Sequence, residues 1–525
     1  MLKMRYIWTL VVLFVFAACE DGKYEKEIEP PIEVVSGEAD FTNFVSVGNS
    51  LTAGLSDGAL FIAGQTNAFP NLLAEKMSLA GGGEFTQPWM DDNTGGLLLG
   101  GNPIPGPFGP RLFFDGCGLS VLPKTPTTDV TDIRPGPYNN MGVPGAKSFH
   151  LLAPGYGNIG NLALGLANPY FVRMASNPNV RVLDDAVAAN PTFFSLWIGM
   201  NDVLGYASSG GDGSDPITAK PVFDGSFGAV LGALTSTGAK GVVGNIPNVL
   251  FSPFFTTVPY APLDPTPYDP EDSCDTPSAY PGLIDELNGA YALLNQAFAG
   301  LGYPERSVSF SKTEASAIVI HDESIDNIQA GLFAVLSQYI DPQEAAILSA
   351  QYGQCRPANE SDLILLTSQT VIGELNMEYL QYLMGLGVPQ EMAGQLSVNG
   401  LTYPMSDEWV LLSSEQQEII EATEMFNGTI EQLAANAGLA LFDAEALLNE
   451  IALTGYSSDG FNLTADLIFG GLFSLDGLHY TARGSSVVAN EIMKVIDENY
   501  DSNFEEAGAL YDIGAYPIIY SPALP

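Results

Sequence analysis

The sequence predicts an α/β fold, a parallel sheet that carries helices on both faces. Continuous apolar runs recur at Phe44-Val45-Ser46-Val47, at Thr192 to Ile198, at Gly241 to Pro247 and at Leu439 to Phe442. Strands buried on both faces have this composition, whereas a half-exposed strand alternates. Segments of helical periodicity lie between these runs, and glycine-bearing turns follow them. Regular alternation of helix and buried strand implies right-handed crossovers and therefore parallel strands.

In chain order, the first strand is read over 41–48 and enters the tight turn Gly48-Asn49-Ser50-Leu51-Thr52-Ala53-Gly54 before a helix. A helix over 67–77 follows, its apolar residues on one face. From 81 to 137 glycine and proline dominate, the composition of long loops around a site. Tyr138 to Ala146 supply a second glycine-bearing turn, and a helix over 180–189 precedes the strand 192–198, which ends at Gly199-Met200-Asn201-Asp202. A helix over 223–237 and a strand over 241–247 complete the next unit.

Past Pro253 the regularity breaks. Residues 259–281 read as loop, with helices near 283–301, 343–352, 369–384 and 389–396. We read 255–408 as a largely helical insertion or cap over a core made by 41–254 and 409–525. The core resumes with a helix over 413–437, capped by Ser413 and Ser414 and ended by Gly438, then a strand over 439–443. Ser474-Leu475-Asp476-Gly477-Leu478-His479 opens a helix-like segment, and 483–499 closes the chain's regular structure as an amphipathic helix with Val488, Ile492, Val495 and Ile496 on one face.

The N-terminus reads as a signal peptide over 1–18: Lys3 and Arg5, an apolar run from Tyr6 to Phe16, then Ala17-Ala18. Cys19 behind two small residues resembles the lipobox of bacterial lipoproteins, in which the thiol takes a diacylglycerol. Residues 19–40, charged and ending in Pro30-Pro31 before 32–40, read as a flexible tether. The acidic residues directly after Cys19 resemble the export signals of surface lipoproteins in Bacteroidetes-type bacteria. These resemblances imply a membrane anchor through lipid and a place in the bacterial envelope, as an outer-membrane lipoprotein facing the periplasm or the cell surface.

The chain carries 61 acidic against 18 basic side chains, a net charge of −43. Nucleic acid and anionic headgroups would be repelled, which disfavours any phosphate-tracking role. With Cys19 assigned to lipid, Cys117, Cys274 and Cys355 remain, and in an oxidising compartment Cys274 with Cys355 is the expected pair because both fall in the insertion. Cys117 would then be a buried thiol. No Cys or His pair has metal-ligand spacing among three histidines, so neither metal nor cofactor is expected.

Four turns now stand at strand ends or helix starts, and in an open parallel sheet such ends gather on one edge. Ser50 follows a strand directly, which lifts its hydroxyl out of the sheet edge. Asp476 three residues before His479 lets a carboxylate fold back onto Nδ1 and leaves Nε2 to accept a proton from serine. Gly145 lets a backbone N–H approach a developing oxyanion closely, and Asn201 can offer its side-chain amide to the same oxygen. His150 and His321 have no acidic partner at such spacing and read as surface or loop residues. Phe254, Phe255, Tyr260, Tyr268 and Trp409 read as core in preference to an acyl pocket.

The blocks Gly48-Asn49-Ser50-Leu51, Gly142-Val143-Pro144-Gly145, Gly199-Met200-Asn201-Asp202 and Asp476-Gly477-Leu478-His479 resemble, in content and order, those of the SGNH hydrolases, also called GDSL-type lipases and esterases. The resemblance implies Ser50 as nucleophile, His479 as base and Asp476 as its orienter, with Ser50 N–H, Gly145 and Asn201 forming the oxyanion hole. It implies a three-layer α/β/α fold with a doubly wound parallel sheet and an ester substrate; the lipid anchor and an apolar-rich insertion favour acyl lipids or other lipophilic esters, with an acylated glycan close behind. It covers about 41–255 and 409–500 and leaves the insertion unexplained. Asn49 stands where the family name has Asp, a position outside the triad. A surface binding protein that kept this fold without turnover is the alternative from another class.

Overall fold

The structure is a computed structural model that describes residues 32–524. The signal peptide, the lipidation site at Cys19 and the tether up to residue 31 lie outside the described residues. Five parallel strands form the central sheet: β1 Phe44–Gly48, β2 Asn140–Gly142, β3 Phe193–Trp197, β4 Lys240–Gly244 and β5 Ala440–Phe442. Their spatial order is 2-1-3-4-5. The helices that matter for the site and its support are α1 Ser50–Ala53, α2 Phe69–Met77, α3 Asn201–Ser208, α4 Lys220–Thr235, α5 Ser413–Ala437 and α6 Ala482–Tyr500.

Side chains alternate across each strand, so the sheet carries two cores. Val45, Val47, Phe194, Leu196 and Val243 enter one, covered by α4 and α5 through Phe223, Phe227, Ile419 and Phe426. Phe223 and Phe426 stack with centroids 4.1 Å apart, which locks these two helices face to face. Phe44, Phe193, Trp197, Val242 and Phe442 enter the other, covered by α2 and α6 through Leu72, Leu73, Val488 and Ile492. Each fully buried side chain of this size contributes about 1.5–3 kcal/mol relative to exposure, so slipping a strand by one residue would forfeit many such terms. The register that results pairs Gly48 with Gly142 on one side and with Trp197 on the other. The C-terminal ends of β1, β2 and β3 therefore lie side by side.

Several boundaries differ from the sequence reading. Phe41–Asn43 form a 3-10 turn capped by Asp40, so β1 starts at Phe44. Pro70 sits in the first turn of α2, which moves that helix start to Phe69. The helix read over 369–384 is confined to Met377–Gly385, because Gly373 takes a φ of +82° and breaks the segment after a 3-10 turn at Leu366–Thr370. The start of α5 is closed by Glu415, which accepts the Leu412 N–H at 2.7 Å, with Ser413 as the first helical residue and neither serine as the cap. Residues 33–40 of the expected tether are docked: Val35 N–H donates to Asn503 Oδ1 at 2.8 Å, and Glu38 N–H donates to Tyr500 O at 2.6 Å.

The insertion has its own apolar cluster, from Val258 to Leu412, in which Ile284, Tyr291 and Phe298 of the helix Tyr280–Leu301 pack against Ile318, Val319 and Ile320. It is not helical throughout. Val319–His321 pairs antiparallel with Cys355–Pro357, and Leu363–Ile364 with Val410–Leu411, the last just past the boundary read at 408.

The cysteine pairing is corrected. Cys117 bonds Cys274, with Cα atoms 5.0 Å apart, and Cys355 is the buried free thiol. Cys117 sits in the turn of the hairpin made by Leu112–Phe114 and Leu119–Val121, where it meets the exposed loop that carries Cys274. Cys355 faces the interior of the insertion and cannot reach that loop; burial pushes its thiol up to about 12. Peptide mapping without reduction should recover Cys117 joined to Cys274, and Cys355 should resist alkylation until the protein is unfolded. A Cys274–Cys355 peptide would contradict this pairing.

Candidate active site

Ser50 is the first residue of α1, directly beyond the end of β1. A Cβ at Gly48 would stand 2.5 Å from Trp197 O and 2.2 Å from Thr52 Oγ1, so only glycine lets the chain turn this tightly against its neighbours. The Asn49 side chain caps the turn by accepting the Leu51 N–H at 3.0 Å. Gly54, in the left-handed region, returns its N–H to Ser50 O at 3.0 Å. With four residues, α1 is one turn long, so its dipole contributes less to Ser50 than the full helix expected from the sequence.

His479 Nε2 lies 2.8 Å from Ser50 Oγ, and His479 Nδ1 lies 2.9 Å from Asp476 Oδ2. Phe473 and Tyr480 form an antiparallel bridge, and Ser474 N–H donates to His479 O at 2.7 Å. Asp476 and His479 thus sit in a closed turn, and the helix begins only at Ala482 behind its Thr481 cap. The Asp476 carboxylate is largely buried, its side chain 12% exposed, and well supplied with donors. Its Oδ1 accepts the N–H groups of Leu478 at 2.9 Å and His479 at 2.8 Å, and its Oδ2 accepts the Gly58 N–H at 2.6 Å. Burial opposes its charge, but the His479 ring and the His479 and Leu478 N–H groups outweigh burial and hold the carboxyl well below the ordinary carboxylate range.

Gly145 and Asn201 follow β2 and β3, so the aligned strand ends bring them to the same sheet edge as Ser50. Gly145 has a φ of +77°, a conformation that favours glycine, and a Cβ there would meet open space. Asn201 opens α3, and its Nδ2 donates to Ala146 O at 2.9 Å. One amide proton ties Asn201 to the Gly145 loop, and the second is left for another acceptor. Ser50 and Asn201 flank the point where strand order reverses between β1 and β3, the position at which open α/β sheets bind ligands.

Two supports were given no role by the sequence reading. Asp202, fully buried, accepts the Ser148 N–H at 2.8 Å and the Ser148 hydroxyl at 2.7 Å, pinning the Gly145 loop to α3. Its place directly after Asn201 is the one hint available. Gly58 meets Asp476 across 418 residues, and no local pattern encodes that contact.

The other histidines lie apart. His150 stacks on Tyr156 with centroids 4.8 Å apart, its Nδ1 accepts the Lys147 N–H, and burial lowers its pKa to about 4. His321, in the insertion, lies with Glu323 and Asp407, their ligating atoms within 4.8 Å of one another. Those three could hold a metal ion, a grouping that sequence spacing does not reveal. Phe254 and Phe255 are core, as expected, whereas Tyr260 and Tyr268 are exposed at 40% and 46% and Trp409 is half-buried. The turn bearing His479 touches the insertion through Leu366, which lies against Gly477, and touches the core segment just ahead of it through Phe254, whose N–H donates to Gly477 O at 3.1 Å. Two cavities of about 810 Å³ are lined mainly by the insertion and include none of the five site residues.

No family model, curated protein or solved structure matches this chain. Among the described residues no helix is long and apolar enough to cross a membrane.

A carboxyl whose folded pKa is depressed adds stability above its unfolded value near 3.9, and that stability is lost as pH falls through the lower folded value. Asp476→Asn should therefore be less stable than the wild type at neutral pH, by about 1.5–3 kcal/mol for hydrogen bonds to a charged group. The difference should shrink below about pH 4. Thermal unfolding of both proteins across pH checks this, and a constant difference would contradict it.

Proposed function

We propose that this chain is a serine ester hydrolase of the SGNH type, acting through an acyl-enzyme. The observation that carries the proposal is His479 bridging Ser50 Oγ at 2.8 Å and Asp476 Oδ2 at 2.9 Å. Neighbouring observations support it: the strand order 2-1-3-4-5, the reversal point beside Ser50, and a glycine and an asparagine on the same edge.

In this reading Ser50 Oγ attacks the ester carbonyl carbon as its proton passes to His479 Nε2. Asp476 holds the ring by Nδ1 and offsets the imidazolium charge. The carbonyl oxygen, now an oxyanion, takes hydrogen bonds from Ser50 N–H, Gly145 N–H and the Asn201 amide. Collapse expels the alcohol, which takes the proton from His479. Water then attacks the acyl-serine with His479 as base, releasing the acid and restoring Ser50. Asn49 acts as a turn cap here, a task an aspartate would perform equally, so its departure from the family pattern leaves these steps untouched.

Lipophilic carboxylic esters are the proposed substrates. Ile159, Leu164 and Leu166, on the segment that follows the Gly145 loop, are 42%, 69% and 64% exposed. Phe469, 70% exposed, packs edge-on against Phe114 of the hairpin beside Gly58. Exposed apolar residues of this kind suit an acyl lipid. The lipid anchor at Cys19 and a place in the bacterial envelope belong to the same proposal.

A series of p-nitrophenyl esters from acetate to palmitate tests it. Hydrolysis should rise with acyl length, and Ser50→Ala should lose about 10⁴-fold or more in kcat. Activity confined to acetate would reassign the site to short acyl groups such as those on glycans, and hydrolysis undiminished in Ser50→Ala would refute the nucleophile. Asn201→Ala should lower kcat by about 10²–10³ with KM little changed, the signature of a donor used in the transition state.

A further inference from the structure

A second carboxyl stands behind Asp476. Asp57 precedes Gly58, the residue whose N–H holds Asp476 Oδ2. It is 1% exposed and has a φ of +52°, a left-handed conformation uncommon outside glycine. Its carbonyl accepts the Leu112 N–H at 2.7 Å, and its other hydrogen bonds reach the turn of Asp476. Asp57 N–H donates to Ser474 Oγ at 2.9 Å, and Asp57 Oδ1 accepts the Leu475 N–H at 3.2 Å. Ser474 Oγ donates onward to Asp476 Oδ1 at 3.2 Å.

The other oxygen, Asp57 Oδ2, is buried and has no hydrogen bond. Arg111 Nη1 stands 3.7 Å from it, too far for a hydrogen bond. Arg111 is itself fully buried and donates to the carbonyls of Asn93, Leu112 and Ser521. As scaffolding alone this is a costly choice: an amide would accept the Leu475 N–H equally well without placing an ionisable group beside the Asp476 charge.

We propose that Asp57 is a positioning residue of the hydrolytic site, fixing the turn that presents Asp476 and setting by its charge how firmly His479 holds a proton. This role presupposes the serine-hydrolase reading of Ser50, Asp476 and His479. The charged and titratable groups facing Asp57 are Asp476 from the 474–479 turn, Arg111 from just ahead of the Leu112 hairpin and Tyr520 from the C-terminal segment. Burial and then the Asp476 charge push the Asp57 carboxyl up to about 7, against the Leu475 N–H and Arg111. Above that value a second negative charge faces the Asp476 carboxylate that holds the His479 ring and, through it, favours a proton on that ring; below it Asp57 is neutral and the effect is gone.

Asp57→Asn keeps the acceptor for Leu475 and removes the charge at every pH. The acid limb of kcat/KM for a p-nitrophenyl ester should move to lower pH by roughly half a unit or more, with Arg111 unopposed acting in the same direction. The wild-type protein provides a second readout that needs no variant and no substrate. The His479 ring signal in NMR, to be resolved from only His150 and His321, should show a second inflection near 7, which Asp57→Asn abolishes. A purely structural Asp57 would change neither curve, so an unmoved acid limb with a single wild-type inflection overturns the proposal. The two readings fail separately. Ester hydrolysis with an unmoved limb refutes the role of Asp57 alone, whereas a second inflection in a protein that hydrolyses no ester refutes the hydrolase and leaves the coupling standing.

Discussion

Asp476 carries a charge inside the protein, and keeping it there requires donors from distant parts of the chain. Removing a carboxylate from water costs several kcal/mol unless hydrogen bonds replace its hydration. The replacements are the N–H groups of Leu478 and His479 within the same turn, Gly58 from the segment after α1, and the His479 ring. The same contacts fix the ring that faces Ser50, so solvation of one buried charge and alignment of the imidazole toward Ser50 are a single structural event. Joining residue 50 to residue 479 in this way closes the chain on itself across the sheet edge.

The sheet makes that closure possible. Two cores, one on each face, fix the register of β1, β2 and β3, and the register puts Gly48, Gly142 and Trp197 in line. Three turns then emerge at one level, carrying Ser50, Gly145 and Asn201. The insertion reaches this edge at two places. Leu366 bears on the turn of His479, and the Cys117–Cys274 bond ties the insertion's exposed loop to a hairpin whose Leu112 N–H donates to Asp57 O at 2.7 Å. Both contacts link the insertion to the surroundings of Asp476, whereas its own large cavities lie elsewhere.

Much of the central fold was legible because its determinants are local. Buried strands such as Phe193–Trp197 declare themselves by composition, and Asp476 with His479 by a three-residue spacing that one turn can close. Ser50 was legible from the strand and glycine ahead of it. What escaped was set by tertiary contact. Gly373 divides a segment whose periodicity reads as one helix, and residues 33–40 look like linker until Tyr500 and Asn503 supply partners. The partner of Cys274 depended on which exposed loop lay opposite, not on which residues shared an insertion. The support that Asp57 and Gly58 give to Asp476 spans more than four hundred residues and leaves no mark in local sequence.

Activation of the Ser50 hydroxyl by His479 is the claim on which the functional reading turns. Treating the folded protein with a fluorophosphonate and mapping the adduct by peptide mass spectrometry measures it directly. Stoichiometric phosphonylation of the peptide containing Ser50, lost on replacing His479 with alanine, is the expected result. A protein that stays unmodified, or one whose adduct lies on another residue, would contradict it.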